Sequence, residues 1–253
     1  MSPTTVFISG ANRGIGRGIA EIYLARPNHT VIAGARDPNH SSAQSLKTLP
    51  VGEGSKLIVV KLESASDTDA AEAIKTIQAA GIDHLDIVIA NAGIAGGHGP
   101  VHEIDLAWIR EAFEVNTLGK LKLYQAAYPL LRATGSGAKF VAISTLAATT
   151  TDVEKTAAFP IGAYGATKAA LNHLVRKAHY DNEWLTSFAI HPGMVQTDMG
   201  NAGARAFGMD PTEIAEPVDV SCRGVVKVID EASRDGIAGT HGFLSYDGTT
   251  IPW

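Results

Sequence analysis

The sequence predicts an α/β fold built on a doubly wound parallel sheet with helices on both faces. Short, almost continuously apolar runs alternate along the chain with longer segments of helical pattern. Such runs are typical of strands buried on both faces, and strand–helix alternation implies right-handed crossovers. The length of 253 residues suits one large α/β domain, so we treat residues 1–253 as a single domain.

The alternation predicts seven strands and five helices. The strand candidates are the β-rich apolar runs at 5–9, 29–35, 56–62, 85–91, 138–144, 185–191 and 241–246. The helix candidates are at 15–25, 67–80, 106–134, 162–182 and 217–233. A Gly- and Pro-rich stretch at 93–100 predicts a loop. An irregular segment at about 198–217 interrupts the pattern, and we interpret it as a substrate lid or a small helical insert, because long connections are often functional.

Composition and charge disfavour several classes of function. Hydrophobic residues make up 45% and charged residues 19% of the chain, which is typical of a soluble globular protein. The formal net charge of −5 disfavours a nucleic-acid partner, since phosphate binding needs a basic surface. We see no apolar run long enough for a membrane span and no secretory signal, and the single Cys222 cannot form an internal disulfide. We therefore expect a cytoplasmic protein without a membrane partner.

One group of side chains has the residue types of a metal site. His98, His102 and Glu103 could be ligands at helical spacing, but Gly99 and Pro100 break the helix that would align them. We therefore predict no metal ion.

A glycine-rich turn, SGANRGIG at residues 9–16, lies where the first strand ends and the first helix begins. Gly10, Gly14 and Gly16 allow a sharp turn and a close approach of the backbone to a pyrophosphate, which the helix N-terminus would attract. The GxxxGxG spacing differs from the common GxGxxG dinucleotide fingerprint. It also differs from the GxxxxGK phosphate loop, which disfavours a kinase or ATPase. A glycine-rich turn without a ligand is the alternative.

The end of the second strand carries the residue that would select the cofactor. Dinucleotide-binding folds have an acid there for the ribose hydroxyl of NAD, or an arginine for the 2′-phosphate of NADP. Arg36 lies 20 residues after Gly16, and Ala35 occupies the position of the acid. Arg13 in the glycine turn could reach the same phosphate, and Asp37 suits a turn beyond the strand. The pattern favours NADPH over NADH; the alternative is that Arg36 is only a solvated charge.

Three further polar residues lie near the predicted strand ends, where open parallel sheets bind ligands. Asn91 in ANAG follows the fourth strand, Asn116 in VNTLG interrupts a helical pattern, and Ser144 ends the fifth strand. Asn91 with Gly93 is also ordinary turn chemistry, and Asn116 alone indicates only a kink or a bound water. Ser144 is well placed to touch a substrate, and since no GxSxG motif occurs, nucleophilic serine hydrolysis is disfavoured.

Tyr164 and Lys168 in GAYGATKAAL are spaced i, i+4, so they share one helix face. An ammonium near a phenol favours the phenolate and lowers the pKa of the phenol, which is otherwise a poor acid–base catalyst at neutral pH. Such a tyrosine can exchange a proton with a carbonyl oxygen while a hydride moves to the carbonyl carbon. The spacing alone is common by chance, and the small residues around it equally suit close helix packing.

The segment HPGMVQTDM at residues 191–199 follows the sixth strand. Pro192 and Gly193 predict a turn, and Thr197 offers a hydroxyl to a cofactor. His191 could be mistaken for a catalytic base, but it closes an apolar strand. We therefore interpret it as a core histidine whose ring is satisfied by hydrogen bonds.

The motifs occur together in the order and approximate spacing of the short-chain dehydrogenase/reductase family, which essentially the whole chain resembles. The ending GFLSYDGTTIPW is similar to that of the carbonyl reductases, and the chain also resembles fungal polyketide ketoreductases of the norsolorinic acid ketoreductase kind. The resemblance implies a Rossmann-like domain with a seven-stranded sheet. It also implies a homo-oligomer, a dimer or tetramer, that pairs through the long helices.

The resemblance further implies roles for individual residues. Tyr164 would be the acid–base, and Lys168 would bind the nicotinamide ribose and tune Tyr164. Ser144 would polarise the carbonyl, and Asn116 would hold a water in the proton relay. The cofactor would contact Tyr164, Lys168 and residues of the loops that follow five strands: Gly10, Asn12, Arg13, Gly14, Ile15, Gly16, Arg36, Leu62, Glu63, Asn91, Ala92, Gly93, Pro192, Gly193, Val195 and Thr197. Glu63 is a departure, because the family commonly has an aspartate there that contacts adenine.

We therefore expect an NADPH-dependent ketoreductase that converts a small-molecule ketone to a secondary alcohol. Apolar residues expected around the mouth of the site suggest a hydrophobic or aromatic substrate, including polyketides. These residues are Ile94, Leu146, Phe159, Met194, Met199 and Phe207. The alternatives are a non-catalytic protein that senses NADP(H) on the same fold, and an alcohol dehydrogenase that works in the oxidative direction.

Overall fold

A computed structural model describes residues 3–253, and its seven strands form one parallel sheet in the order β3-β2-β1-β4-β5-β6-β7. The strands are β1 (Thr4–Ser9), β2 (His29–Ala35), β3 (Lys56–Lys61), β4 (Ile87–Ala90), β5 (Lys139–Ile143), β6 (Thr186–His191) and β7 (Phe243–Ser245). All seven predicted strands are present, which confirms the predicted Rossmann-like α/β class.

Helices connect the strands, as the alternation predicts. The α-helices of the described residues are α1 (Gly14–Leu24), α2 (Ser41–Gln44), α3 (Asp69–Ala79), α4 (Leu106–Phe113), α5 (Gly119–Thr134), α6 (Gly162–Asp181), α7 (Asp198–Ala206), α8 (Pro211–Ile214), α9 (Val218–Glu231) and α10 (Arg234–Gly239). Short 3₁₀ helices lie at Ser45–Thr48, Val101–Glu103, Leu146–Ala148 and Val153–Thr156. In residues 3–253 we find no helix that is both long and apolar enough to cross a membrane.

The sheet separates two apolar layers, because successive strand side chains point to opposite faces. On one face, Val6 and Ile8 of β1 pack with α1 and α9. On the other, Phe7 packs with α3, α5 and α6. Burial of both faces explains why the central strands are apolar throughout, whereas the edge strand β3 is exposed at both of its lysine ends.

Several predicted elements differ from the structure, and two of the differences have a visible cause. The predicted helix at 106–134 is divided by a π-helical turn, Glu114–Leu118, because Asn116 forms hydrogen bonds to the neighbouring loop and to α6. Strand β4 is shorter than predicted, since the Leu85 N–H donates to the Leu130 carbonyl of α5 rather than to a strand. The irregular segment at 198–217 contains α7 and α8, so part of it is helical.

The order of the strands fixes the place of the site. The chain leaves β1 toward β2 and β3, and it later returns to pair β4 with the opposite side of β1. Open parallel sheets bind ligands at such a reversal, in the crevice outside the carboxyl ends of the strands. The glycine-rich turn after β1 and the loop after β4 meet at this crevice.

Candidate active site

The site begins at the glycine turn between β1 and α1. Gly10 and Gly14 have φ angles of +65° and +53°, which residues with a side chain rarely adopt. A Cβ atom at Gly16 would lie 2.5 Å from Nδ2 of Asn91, so the turn can lie this close to the end of β4 only with glycine. The turn leads directly into α1, whose first N–H groups have no partner within the helix. A glycine-lined turn before a helix N-terminus fits a pyrophosphate.

Neighbouring loops close around this turn. A Cβ at Gly14 would lie 3.2 Å from Cγ2 of Thr197, and one at Gly10 would lie 3.0 Å from Cα of Ala92. The Thr197 hydroxyl caps α7 by accepting a hydrogen bond of 3.1 Å from the Gly200 N–H. Residues that follow β1, β4 and β6 therefore lie side by side at one edge of the sheet.

Two exposed guanidinium groups flank the turn. Arg13 forms a 3.7 Å ion pair with Asp198 of α7, and Arg36 forms a 3.6 Å ion pair with Glu63 after β3. The side chains of Arg13 and Arg36 are 69% and 79% exposed, so both are free to contact an anion. Asp37 accepts a hydrogen bond of 2.8 Å from the Asn39 N–H, which confirms its predicted role in a turn.

The remaining cofactor candidates also have contacts within the protein. Nδ2 of Asn91 donates to the Ser9 carbonyl at 2.9 Å, which joins β4 to β1, and Nδ2 of Asn12 donates to Ser42 at 2.7 Å. Leu62 and Val195 are buried, and Ile15 packs against the core. The Pro192 carbonyl accepts a hydrogen bond from Ser221, and Gly193 has a positive φ of +86° beside the Tyr246 ring.

Asn116 fixes the loop after β4. Its Nδ2 donates to the Ile94 carbonyl and its Oδ1 accepts from the Ile94 N–H, both at 2.9 Å. The second Nδ2 hydrogen is used by Oγ1 of Thr167 on α6, at 3.1 Å. The π-helical turn that contains Asn116 is a feature frequently found at functional sites.

Tyr164 and Lys168 lie on one face of α6, with the Lys168 Nζ 5.6 Å from the centre of the Tyr164 ring. The Lys168 ammonium donates a hydrogen bond of 2.8 Å to the Ile143 carbonyl at the end of β5. Burial raises the pKa of Tyr164 to about 12. The expected net lowering of this pKa is therefore wrong for the protein alone, because burial is the dominant effect on the phenol.

Lys120, which sequence reasoning missed, lies beside this pair. It is 2% exposed and donates a hydrogen bond to the Ala92 carbonyl. A Cβ at Gly93 would lie 3.6 Å from the Lys168 Nζ and 3.7 Å from the Lys120 Nζ, so the two amines converge on the same glycine. Burial and the nearby Lys168 lower the pKa of Lys120 well below its usual value. Burial lowers the pKa of Lys168 to about 8, while its hydrogen bond with Lys120 opposes this shift. Burial therefore disfavours the charged form of both amines.

The burial of Lys120 predicts a pH-dependent stability. Its folded-state pKa lies below the unfolded value, so in the window between the two values the unfolded chain binds a proton that the folded chain does not. The stability of the wild type should therefore rise relative to that of Lys120→Met as the pH increases toward about 10.4, the ordinary lysine value. Thermal unfolding at a series of pH values measures the difference.

Lys122→Met is the matched control on the same helix. Lys122 pairs with Asp67 and Glu114, and hydrogen bonds to these two carboxylates raise its pKa. Its removal should not reproduce the trend of Lys120→Met. Parallel pH profiles for the wild type and Lys120→Met would contradict a lysine that loses its proton on folding.

Ser144 lies immediately after β5, and its N–H donates to the Ile190 carbonyl of β6 at 2.7 Å. Its hydroxyl is 2.6 Å from Oδ1 of Asn172, another residue that sequence reasoning missed. Asn172 lies on α6 four residues after Lys168 and eight after Tyr164, so all three share one face. That spacing was the available signal for Asn172, and the i, i+4 spacing from Asn116 was the signal for Lys120.

The predicted substrate residues come from several loops, and two of them are in contact. The rings of Phe159 and Phe207 lie 5.2 Å apart, and His98 packs edge-on against Phe207 at 5.2 Å. Ile94 is held by Asn116, whereas Met199 of α7 is 42% exposed. Leu146 begins the 3₁₀ helix after β5, and Met194 follows β6; both are partly buried.

Two other histidine interpretations can be compared with the structure. Burial lowers the pKa of His191 to about 4, so its ring is neutral, and its buried Nδ1 has no hydrogen-bond partner within residues 3–253. The prediction that His191 is a satisfied core histidine is therefore wrong for this nitrogen. His102 pairs with its neighbour Glu103 at 3.3 Å, while His98 packs on Phe207 instead.

The sequence profile described as "short chain dehydrogenase" matches residues 4–208. The chain belongs to the short-chain dehydrogenase family. Members of this family use a nicotinamide cofactor, and the glycine turn before α1 fits the pyrophosphate of such a cofactor.

Curated members of the short-chain dehydrogenase family resemble the chain over almost its entire length. It is 46% identical over 254 residues to a norsolorinic acid ketoreductase of Dothistroma septosporum, with 99% of this chain and 92% of the relative covered. It is 40% identical to the norsolorinic acid ketoreductase of Aspergillus parasiticus, with coverage of 99% and 91%. Among solved structures, the NADPH-bound carbonyl reductase from chicken fatty liver superposes with a TM-score of 0.84 at 29% identity, and 100% of both chains is covered.

Proposed function

We propose that this short-chain dehydrogenase reduces a ketone to a secondary alcohol with NADPH as the reductant. The observation that carries the proposal is Lys168, whose Nζ lies 5.6 Å from the Tyr164 ring centre, bonds the Ile143 carbonyl next to Ser144 and lies close to Gly93 after β4. A protonated phenol, an ammonium and a hydroxyl there lie at the edge of the sheet where this fold binds its cofactor.

The proton donor is Tyr164. Because burial raises its pKa to about 12, the phenol keeps its proton at neutral pH and can give it to a carbonyl oxygen. When bound, the reduced nicotinamide supplies the hydride.

Ser144 and Lys168 assist the proton transfer. The Ser144 hydroxyl can donate a hydrogen bond to the carbonyl oxygen as negative charge develops on it. Lys168 lies 5.6 Å from the Tyr164 ring centre and is charged at neutral pH, so it stabilises the phenolate that forms. Asn116 contributes by holding the Ile94 loop and α6 together through its hydrogen bonds.

Positively charged side chains near the glycine turn support NADPH rather than NADH as the cofactor. Arg13 and Arg36 extend exposed guanidinium groups from the glycine turn and the end of β2, and arginine suits the dianionic 2′-phosphate. Glu63 would repel the phosphate if it were alone, but its carboxylate is paired with Arg36. The relative from chicken was solved with NADPH bound, which agrees with this choice.

We infer that the substrate is an aromatic ketone of the polyketide class. Phe159 precedes α6 and Phe207 ends α7, and an aromatic ring can stack on them. The curated relatives named for norsolorinic acid, which share 46% and 40% identity, support the same class.

NADPH consumption with a panel of ketones tests the proposal. We expect turnover with hydroxylated aromatic polyketide ketones and a much lower kcat/KM with small aliphatic ketones. Binding of NADPH without its consumption by any ketone would refute the reductase and favour a sensor of NADP(H). Equal kcat/KM for aromatic and small aliphatic ketones would refute the aromatic substrate class alone.

A further inference from the structure

The hydroxyl of Ser144 donates a hydrogen bond to a neighbouring side chain, and this bond uses the proton that polarisation of a carbonyl would need. Ser144 Oγ lies 2.6 Å from the amide oxygen of Asn172, and both residues are at most 2% exposed. An amide oxygen can only accept a hydrogen bond, so the Ser144 hydroxyl must donate its single proton to Asn172. In this arrangement Ser144 has no proton to donate to a substrate carbonyl.

The other end of the same amide is unpaired. Nδ2 of Asn172 is buried, and within residues 3–253 it has no hydrogen-bond partner. Leaving an amide N–H₂ without partners in the interior is costly, more so than leaving an amide oxygen. Because the two ends of an asparagine amide have nearly the same shape, and its last torsion is broad, the group can turn without repacking its neighbours.

Turning the amide would reverse the direction of this hydrogen bond. Nδ2 would then donate to a lone pair of the Ser144 oxygen, and the Ser144 proton would be free to point toward the edge of the sheet. In the free protein this exchanges one hydrogen bond for another. When a substrate carbonyl accepts the Ser144 proton, the turned amide gives a chain of two hydrogen bonds in place of one, which favours the turned form. Hydrogen bonds in a chain polarise one another, so the Ser144 hydroxyl also becomes a stronger donor.

We propose that Asn172 is a positioning residue that donates a hydrogen bond to Ser144 and thereby directs the Ser144 proton to the substrate carbonyl. The inference rests on the proposed ketone reduction, in which Ser144 polarises the carbonyl oxygen. The spacing on α6 agrees with this role, since Asn172 lies on the same helix face as Tyr164 and Lys168. From this position Asn172 reaches the Ser144 hydroxyl. In the proposed reaction that hydroxyl and Tyr164 both act on the oxygen of the substrate carbonyl.

Asn172→Asp separates this role from simple packing. The carboxylate is nearly isosteric and accepts the Ser144 proton at least as well as the amide oxygen, but it cannot donate. If the bond from Ser144 to Asn172 were only structural, this variant would keep its kcat. We expect instead that kcat falls about 10²–10³-fold, the usual loss when one donor to a developing oxyanion is removed. KM and the dissociation constant for NADPH should change little.

A pH profile adds a signature that a packing role would not produce. A buried aspartate has a raised pKa, and its protonated form has an O–H that can donate to Ser144. The kcat of Asn172→Asp should therefore recover as the pH is lowered, relative to the wild type. Asn172→Leu, which can neither accept nor donate, should show a smaller loss than Asn172→Asp and no such recovery. Heat unfolding shows whether each variant is folded.

The Ser144→Ala background completes the test. Without the hydroxyl, Asn172→Asp should cause no further loss of kcat, so the two losses should be strongly non-additive. A wild type that consumes no NADPH with any ketone would refute the proposed function, and the inference with it. A working wild type whose Asn172→Asp variant is folded and keeps full kcat, or whose losses simply multiply in the double variant, would refute the inference alone.

Discussion

Tyr164→Phe should abolish nearly all ketone reduction while leaving the fold and the affinity for NADPH intact. The substitution removes only the phenolic oxygen, which in our account supplies the proton to the carbonyl oxygen. A positioned general acid contributes about 10²- to 10⁴-fold, so we expect kcat to fall by that factor. Steady-state turnover of NADPH and heat unfolding of the same preparation measure the two quantities.

A matched control is available on the same helix. Tyr180 of α6 is 53% exposed and lies four turns from the site, so Tyr180→Phe should retain the kcat of the wild type. A folded Tyr164→Phe variant with more than about a tenth of the wild-type kcat would contradict Tyr164 as the acid.

Arg36→Ala should reduce the preference for NADPH over NADH. Each hydrogen bond between charged groups contributes about 1.5–3 kcal/mol. We therefore expect kcat/KM for NADPH to fall roughly 10- to 100-fold, because 1.36 kcal/mol corresponds to a factor of ten. kcat/KM for NADH should stay nearly the same, because NADH has no 2′-phosphate. Adding Ala35→Asp should raise the use of NADH further by supplying an acceptor for the ribose hydroxyl.

Arg36→Ala and Ala35→Asp should each be measured alone before they are combined, because they affect stability differently. Ala35 is fully buried, so Ala35→Asp can lower stability by itself, whereas Arg36 is exposed and its removal should not. Arg36→Ala also frees Glu63 from its 3.6 Å ion pair, which would add repulsion against the phosphate. Glu63→Gln in the same background separates the loss of attraction from the gain of repulsion. An unchanged NADPH/NADH ratio of kcat/KM in Arg36→Ala would contradict the assignment.

The sheet and the main polar residues could be predicted because their signals are local. Apolar strands buried on both faces, the glycine turn and the i, i+4 spacing of Tyr164 and Lys168 are each visible in a short window. The π-helical turn at Asn116 could not be predicted, because it depends on hydrogen bonds to Ile94 and Thr167 that join distant parts of the chain.

Lys120 was missed for a related reason. A lysine in a helical pattern normally indicates a solvated face, and its burial here follows from the approach of the loop after β4 to α5. The pKa of Tyr164 depends on burial, which the spacing of Tyr164 and Lys168 does not report. Pairing of subunits through the long helices and a cytoplasmic location stay predictions.

The central claim is that a ketone receives a hydride from NADPH at the site of Tyr164. The most direct test uses NADPH that carries deuterium on the transferred position of the nicotinamide, together with an aromatic polyketide ketone. We predict a secondary alcohol with one deuterium on the carbinol carbon, formed in equal amount to the NADPH consumed, and formed about 10²- to 10⁴-fold more slowly with Tyr164→Phe. An alcohol without deuterium, or labelled product formed at the same rate by the Tyr164→Phe variant, would contradict the account.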